Sequence, residues 1–359
     1  MSITPWILYL PSSYHSIRSA NKYQFQSIAG FHQHPNSSQE MTIELSVDID
    51  KISPELISLL EKISRFQEQW QESIILKQMI KRYYQFMQLK ASLPTNVLLI
   101  PTLDIEIIWQ THLLRPEMYQ NDCVRLFHRV IDHSLIVNNN IEQFFKERAF
   151  LDTYQLYEQK FGEKYCELSL IEENNNNIQS YSLYDEYESL SHTKQIYSYW
   201  DKTSFEFSSN SPKNYENPFS FTEDDIILDG KWFYILCRKF MGDVMIKLTT
   251  HGRFFEMGLG EIGIKAKILK QLKKSYERFL YIAAKYRNSF IPPIYDIDII
   301  WYSHMQEPLK YASDCIHLVG YVIFHDPWPT LEDENMKKSY YQIWNDEFQC
   351  DIEIDHLTQ

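Results

Sequence analysis

The chain has 359 residues, 44% hydrophobic and 23% charged, which is too apolar for a wholly disordered chain and long enough for about two domains. Forty-eight acids against 35 bases leave a formal net charge of -13, the wrong sign for a general binder of nucleic-acid backbone. Glycine is scarce at nine residues, so a fold built on glycine turns or a glycine-cradled phosphate is poorly supported.

The five cysteines, Cys123, Cys166, Cys237, Cys315 and Cys350, are scattered, odd in number and form no CxxC pair. They read as reduced thiols. The N-terminus has no basic region before its short apolar run, and no stretch approaches 18 consecutive apolar residues. A cytoplasmic protein without a secretory signal or membrane span is expected.

Residues 1–42 carry little periodicity and end in the linker-like FHQHPNSSQE. Ser53-Pro54-Glu55 has the form of a helix start with proline at its first position. Ile57, Leu60, Ile63 and Phe66 follow at helical spacing. A second helix is predicted from about 72 to 89, with Ile75, Met79, Tyr83 and Phe86 on one face. Residues 91–99 read as a loop or short extended piece. Two short helices follow at 104–114 and 117–132, and another at about 141–160 that stops near Phe161-Gly162. Residues 169–224 shift to an Asn-, Ser- and Tyr-rich composition and read as an inter-domain linker. Periodicity returns in WFYILCRKFM. The glycine cluster EMGLGEIGIK lacks both a preceding strand and GxGxxG order, so it reads as a bend between helices. A long helix at 262–286 and a terminal helix at about 331–348 complete the chain.

An internal repeat stands out. PTLDIEIIWQTHLLRPEMYQNDC (101–123) aligns without gaps to PIYDIDIIWYSHMQEPLKYASDC (293–315), with 11 of 23 positions identical at a constant offset of 192. The match continues through Leu126 and Leu318, Val130 and Val322, and His133 and His325. Upstream, YYQFM resembles YERFL; downstream, LYEQKF resembles IWNDEF. The expected fold is all-α, with two tandem helical repeat units of about 100 residues joined by a partly irregular linker. The boundaries fall at 43–168 for the first unit and 225–359 for the second.

The repeat also contains the candidate site residues: Asp104, Trp109, His112, Tyr119, Asp122 and Cys123, with Asp296, Trp301, His304, Tyr311, Asp314 and Cys315. Asp104 and Asp296 open their helices, where negative charge is favoured. Ile105, Ile108, Trp109 and His112 share a face. Tyr119, Cys123, Leu126, Val130 and His133 form a continuous stripe on the next helix, so His112 and Tyr119 should meet near the corner. A metal site would need Cys123 and His133 together, yet ten residues of helix separate them by about 15 Å. Cys123 and Cys315 sit in apolar stripes, unlike reachable nucleophiles. The histidines therefore read as structural, with Tyr119 or Asp122, and Tyr311 or Asp314, as partners. No catalytic residue, metal or other cofactor is expected.

The repeated motif resembles that of the glycine-rich domain-containing protein family of plants and fungi, in which a proline and an LDID-like run precede Trp-His-x-His, Pro, Tyr and Asp-Cys. The resemblance spans about residues 45–165 and 225–350. Gln110 and Tyr302 stand where the family has its first histidine; His112 and His304 are retained. The glycine-rich tail has no counterpart here, so RNA association tied to it is not expected. The resemblance implies a fold and a loose link to growth and stress responses, but no mechanism. The functional expectation is a non-enzymatic helical interaction or scaffold module with an unknown protein partner. The alternative is a metal-dependent or Cys/His enzyme using the His112 and His304 neighbourhoods.

Overall fold

The computed structural model describes residues 43–65, 73–133, 143–165, 215–238, 261–286, 295–325 and 334–350. Residues 1–42, most of the 169–224 linker, and Gly258 and Gly260 of the glycine cluster lie outside them, as does the side chain of Asp296. Among the described residues the fold is all-α, with ten helices. These are α1 (Ile49–Arg65), α2 (Ser73–Ala91), α3 (Leu103–Leu113), α4 (Pro116–Phe127) and α5 (Gln143–Phe161), then α6 (Glu223–Arg238), α7 (Glu261–Lys285), α8 (Tyr295–Met305), α9 (Pro308–Leu318) and α10 (Glu334–Phe348).

The helix order and bounds repeat. α8 starts and ends 192 residues after α3, and α9 starts 192 residues after α4. Pro116 and Pro308 each occupy the first helical position, where a missing N–H costs nothing. The stops repeat too. His128 (φ 59°) follows α4 and Gly320 (φ 89°) lies just past α9, again 192 apart and both left-handed. Their N–H groups bond Val124 O at 3.0 Å and Cys315 O at 3.0 Å, turning the chain off the helix axis. Gly162 after α5 and Gln349 after α10 do the same, with φ of 68° and 55°.

Two expected bounds differ. α1 starts at Ile49, so Pro54 lies inside it rather than at its first position. Asp48 explains this: its carbonyl accepts the N–H groups of Lys51 and Ile52, and its carboxylate pairs with Lys51 at 2.8 Å. This turn begins the helix upstream of the proline. α4 ends at Phe127, five residues before the expected stop, so Val130 and His133 are not on it.

The chain gathers into two compact units, each assembled from separated stretches. The described residues of Arg65–His112 and Asn121–Ile227 form one, called here the His112 unit. Those of Met1–Ser64, Leu113–Gln120 and Leu228–Gln359 form the other, the His304 unit. In the His112 unit α2 packs on α5; in the His304 unit α7 packs on α8 and α9. The cores are aromatic. Phe86, Trp109, Tyr157 and Tyr165 are fully buried in the first, and Tyr276, Phe279, Tyr311 and Trp344 in the second.

Candidate functional site

The repeated histidines sit at the centre of matching polar chains. In the His112 unit the Tyr83 hydroxyl lies 3.0 Å from His112 Nδ1, and His112 Nε2 lies 3.4 Å from Asp122 Oδ2. In the His304 unit Tyr276 lies 2.9 Å from His304 Nδ1, and His304 Nε2 lies 3.0 Å from Asp314 Oδ2. Helical geometry produces this order. α2 and α7 supply the tyrosine, α3 and α8 the histidine, and the second turn of α4 and α9 the aspartate. The proline turn brings the last two together across ten residues. Tyr83 and Asp122 thus bracket the His112 ring through its two nitrogens, Tyr83 at hydrogen-bond distance and Asp122 at ion-pair distance.

The aspartate then holds a distant segment. Asp122 Oδ2 accepts the Ser220 N–H at 2.6 Å, and its Oδ1 accepts the Ser220 hydroxyl at 2.6 Å and Arg125 Nη2 at 2.5 Å. Asp314 Oδ2 accepts the Ser46 N–H at 2.8 Å. Burial works to raise the Asp122 pKa, but hydrogen bonds from His112, Ser220 and Arg125 overcome it and hold the carboxyl well below the usual range. Burial raises the Tyr83 and Tyr276 hydroxyls well above theirs.

A second repeated pair lies beneath. His133 Nε2 meets Glu106 Oε1 at 2.9 Å, and His325 Nε2 meets Asp298 Oδ1 at 3.3 Å. Their rings stand edge-on to Trp109 at 4.6 Å and to Trp301 at 4.9 Å. His133 reaches Glu106 because the chain leaves α4 at His128; the 15 Å helical separation expected between Cys123 and His133 therefore does not apply. Among the described residues, no three His, Cys, Asp or Glu side chains are placed to hold a metal ion.

The remaining sequence candidates are buried. Trp109, Tyr119 and Cys123 have no exposed surface, and Trp301, Tyr311 and Cys315 have almost none. Tyr311 accepts the Trp301 indole N–H at 2.9 Å and donates to Ile323 O at 2.6 Å. Its ring stands edge-on to His304 at 5.0 Å. Asp104, expected as a first-turn charge, pairs with Arg82 Nε at 2.6 Å. Asp296 opens α8, with its side chain outside the described residues. Sequence reasoning missed Arg82, Ser46 and Ser220, and placed Tyr83 and Tyr276 on helix faces without a part in the site. Those tyrosines did carry a signal: they align in YYQFM and YERFL, the lead-ins to the two copies.

Burial pushes the Cys315 thiol up to about 12. Cys123 is equally enclosed, whereas Cys350 is partly exposed. Alkylation of the native protein is expected to modify Cys350 and to spare Cys123 and Cys315 until urea is added, as peptide mass mapping would show. Early labelling of Cys315 would contradict its enclosure.

His112→Gln is expected to melt above His112→Leu. Glutamine can still donate toward Asp122, whereas leucine leaves buried polar partners unmatched at about 1–3 kcal/mol. Equal melting temperatures would show that the ring's hydrogen bonds contribute nothing.

The profile of the glycine-rich domain-containing protein-like family matches residues 12–122 and 245–314, half of the chain. The chain belongs to this family. It is 24% identical over 299 residues to glycine-rich domain-containing protein 1 of Arabidopsis thaliana, covering 79% of this chain and 29% of that protein. It is 22% identical over 235 residues to glycine-rich domain-containing protein 2 of the same plant, covering 64% of this chain and 22% of that protein. The chain thus spans less than a third of the length of these curated relatives. No solved structure matches it.

Proposed function

We propose that the chain is a non-enzymatic helical scaffold that binds another protein in the cytoplasm, built from two tandem repeats of about 100 residues with a linker between them. One observation carries the reading: both Tyr–His–Asp chains are spent on holding a serine main chain in place. The two histidines have no exposed surface. Catalysis needs atoms that substrate can reach, and these are enclosed. Among the described residues no helix is long and apolar enough to cross a membrane. The net charge of -13 disfavours a nucleic-acid partner.

A second reading has one observation in its favour. Tyrosine, histidine and aspartate in hydrogen-bonded sequence have the order of a nucleophile, its base and the group that orients the base. Burial of Tyr83 and Tyr276 opposes it by disfavouring the phenolate.

Co-purification followed by reconstitution separates the two. The scaffold reading expects a partner that re-forms a complex of fixed stoichiometry with the purified chain, and with its His112→Gln and His304→Gln variants equally. Absence of any such complex, together with a turnover abolished by His112→Gln, would replace it with the enzyme reading.

A further inference from the structure

The two aspartates hold segments of one kind. Leu45-Ser46-Val47 and Phe219-Ser220-Phe221 each place a serine between two apolar residues. Both segments alternate: Val47, Phe219 and Phe221 are buried, while Ser46 and Ser220 are exposed. Each serine N–H is bonded to Oδ2 of its aspartate. Each segment then runs through a capping residue, Asp48 or Thr222, into a helix. The Asp48 carbonyl accepts Ile52 N–H and the Thr222 carbonyl accepts Ile226 N–H.

The pairing is crossed. Ser46 leads into the first repeat but is bound by Asp314 of the second, 268 residues away. Ser220 leads into the second repeat but is bound by Asp122 of the first, 98 residues away. Two different segments from two chain distances thus fill equivalent corners. What they share is a main-chain donor and flanking apolar side chains, and neither requires chain continuity.

The Phe219-Ser220-Phe221 segment is held as a ligand would be. Phe219 lies 4.9 Å from the Tyr83 ring and 5.2 Å from the His112 ring, and Phe221 lies 5.0 Å from His112. Arg125 Nη2 donates to Pro218 O at 2.7 Å. Asn217 shapes the segment from within, accepting Phe219 N–H at 3.0 Å and donating to Phe221 O at 2.5 Å.

We propose that the His112–Asp122 corner is a receptor for a short extended segment with serine between two apolar residues, filled here by residues 219–221, and that it takes the same segment from a second copy of the chain. Exchange of an identical element is a low-cost route to a dimer. The internal segment has the advantage of high effective concentration, so exchange shows when that segment or its own corner is disabled. The proposal rests on the scaffold reading and names one partner for it.

The test mixes two full-length variants. Ser220→Pro removes the N–H and the hydroxyl, leaving an intact corner without its segment. Asp122→Asn weakens the corner, leaving an intact segment without its receptor. Light scattering after size exclusion is expected to find each variant monomeric alone and a mixed dimer when they are combined. A fluorescent peptide of residues 215–224 is expected to bind folded Ser220→Pro at least tenfold tighter than the wild-type chain, and at least tenfold tighter than Ser220→Pro/Asp122→Asn. If proline prevents folding, Ser220→Ala is the receptor, with the same ranking and a smaller difference. A mixture that stays monomeric, or peptide affinity indifferent to Asp122, overturns the proposal. The scaffold reading survives that failure if the reconstituted complex with another protein is found.

Discussion

Replacing Arg82 by methionine is expected to destabilise the His112 unit by about 3–5 kcal/mol, the usual cost of removing one partner from a buried ion pair. Arg82 projects from α2 with Nε 2.6 Å from Asp104 Oδ2. Its Nη2 bonds Tyr165 O at 2.6 Å and Thr102 Oγ1 at 3.2 Å, and its Nη1 bonds Lys164 O at 3.2 Å. The guanidinium also lies 5.8 Å from the centre of the Tyr157 ring and 6.0 Å from that of Tyr165. Burial lowers its pKa, but Asp104, with Tyr157 and Tyr165 beside it, more than offsets burial and leaves the pKa raised. One side chain therefore ties α2 to the start of α3 and to the stretch after α5. Methionine fills similar volume but leaves the Asp104 carboxylate enclosed, and its Oδ1 has no hydrogen-bond partner among the described residues. Asp104→Asn is expected to cost less, because Arg82 keeps its carbonyl and hydroxyl acceptors. Arg82→Met/Asp104→Leu is expected to recover part of the loss, since no charge is then stranded. Urea unfolding of wild type, Arg82→Met, Asp104→Leu and Arg82→Met/Asp104→Leu forms the double-mutant cycle, with Asp104→Asn measured beside it. A loss below about 1 kcal/mol for Arg82→Met would mean that water reaches Asp104.

Arg82 also shows where sequence legibility stops. The 3.6-residue pattern and the proline turns made α3, α4, α8 and α9 readable, because the signals are local and occur twice. The partners of the buried charges are not local. Arg82 meets Asp104 across 22 residues, and Ser46 meets Asp314 across 268. No periodicity encodes such pairs. The stripe from Tyr119 to His133 misled for a related reason. Its apolar spacing continues past the helix, while the break falls at His128, a non-glycine residue in the left-handed region and so a weaker stop signal than glycine. The second copy has glycine at the same place, and reading the stop from Gly320 would have corrected the first. Asp104 and Glu106 were legible as first-turn acids, but that reading stopped short of their partners. α1 started early because Asp48 builds a turn upstream of Ser53-Pro54 that outweighs the proline signal.

Trp109→Ala and Trp301→Ala are each expected to cost about 3–5 kcal/mol, from lost transfer energy and the cavity left behind. Such a loss is a large fraction of a domain's total stability. Neither indole has more than 2% of its surface exposed. Each sits where its unit's elements converge. Trp109 packs against Phe86 of α2 at 5.6 Å and His133 at 4.6 Å. Trp301 packs against Phe279 of α7 at 4.7 Å and His325 at 4.9 Å. At Trp301 the indole N–H donates to the Tyr311 hydroxyl, so Trp301→Phe removes a hydrogen bond as well as volume. At Trp109 the ring face also lies 6.0 Å from Lys90 Nζ, an amine that burial lowers to about 8. Trp109→Phe keeps an aromatic face toward Lys90, whereas Trp109→Ala removes it. Phenylalanine should therefore restore part of the stability at both sites. Chemical denaturation read by circular dichroism measures all four variants. If either alanine variant unfolds within about 1 kcal/mol of wild type, that indole is not the core anchor its burial indicates.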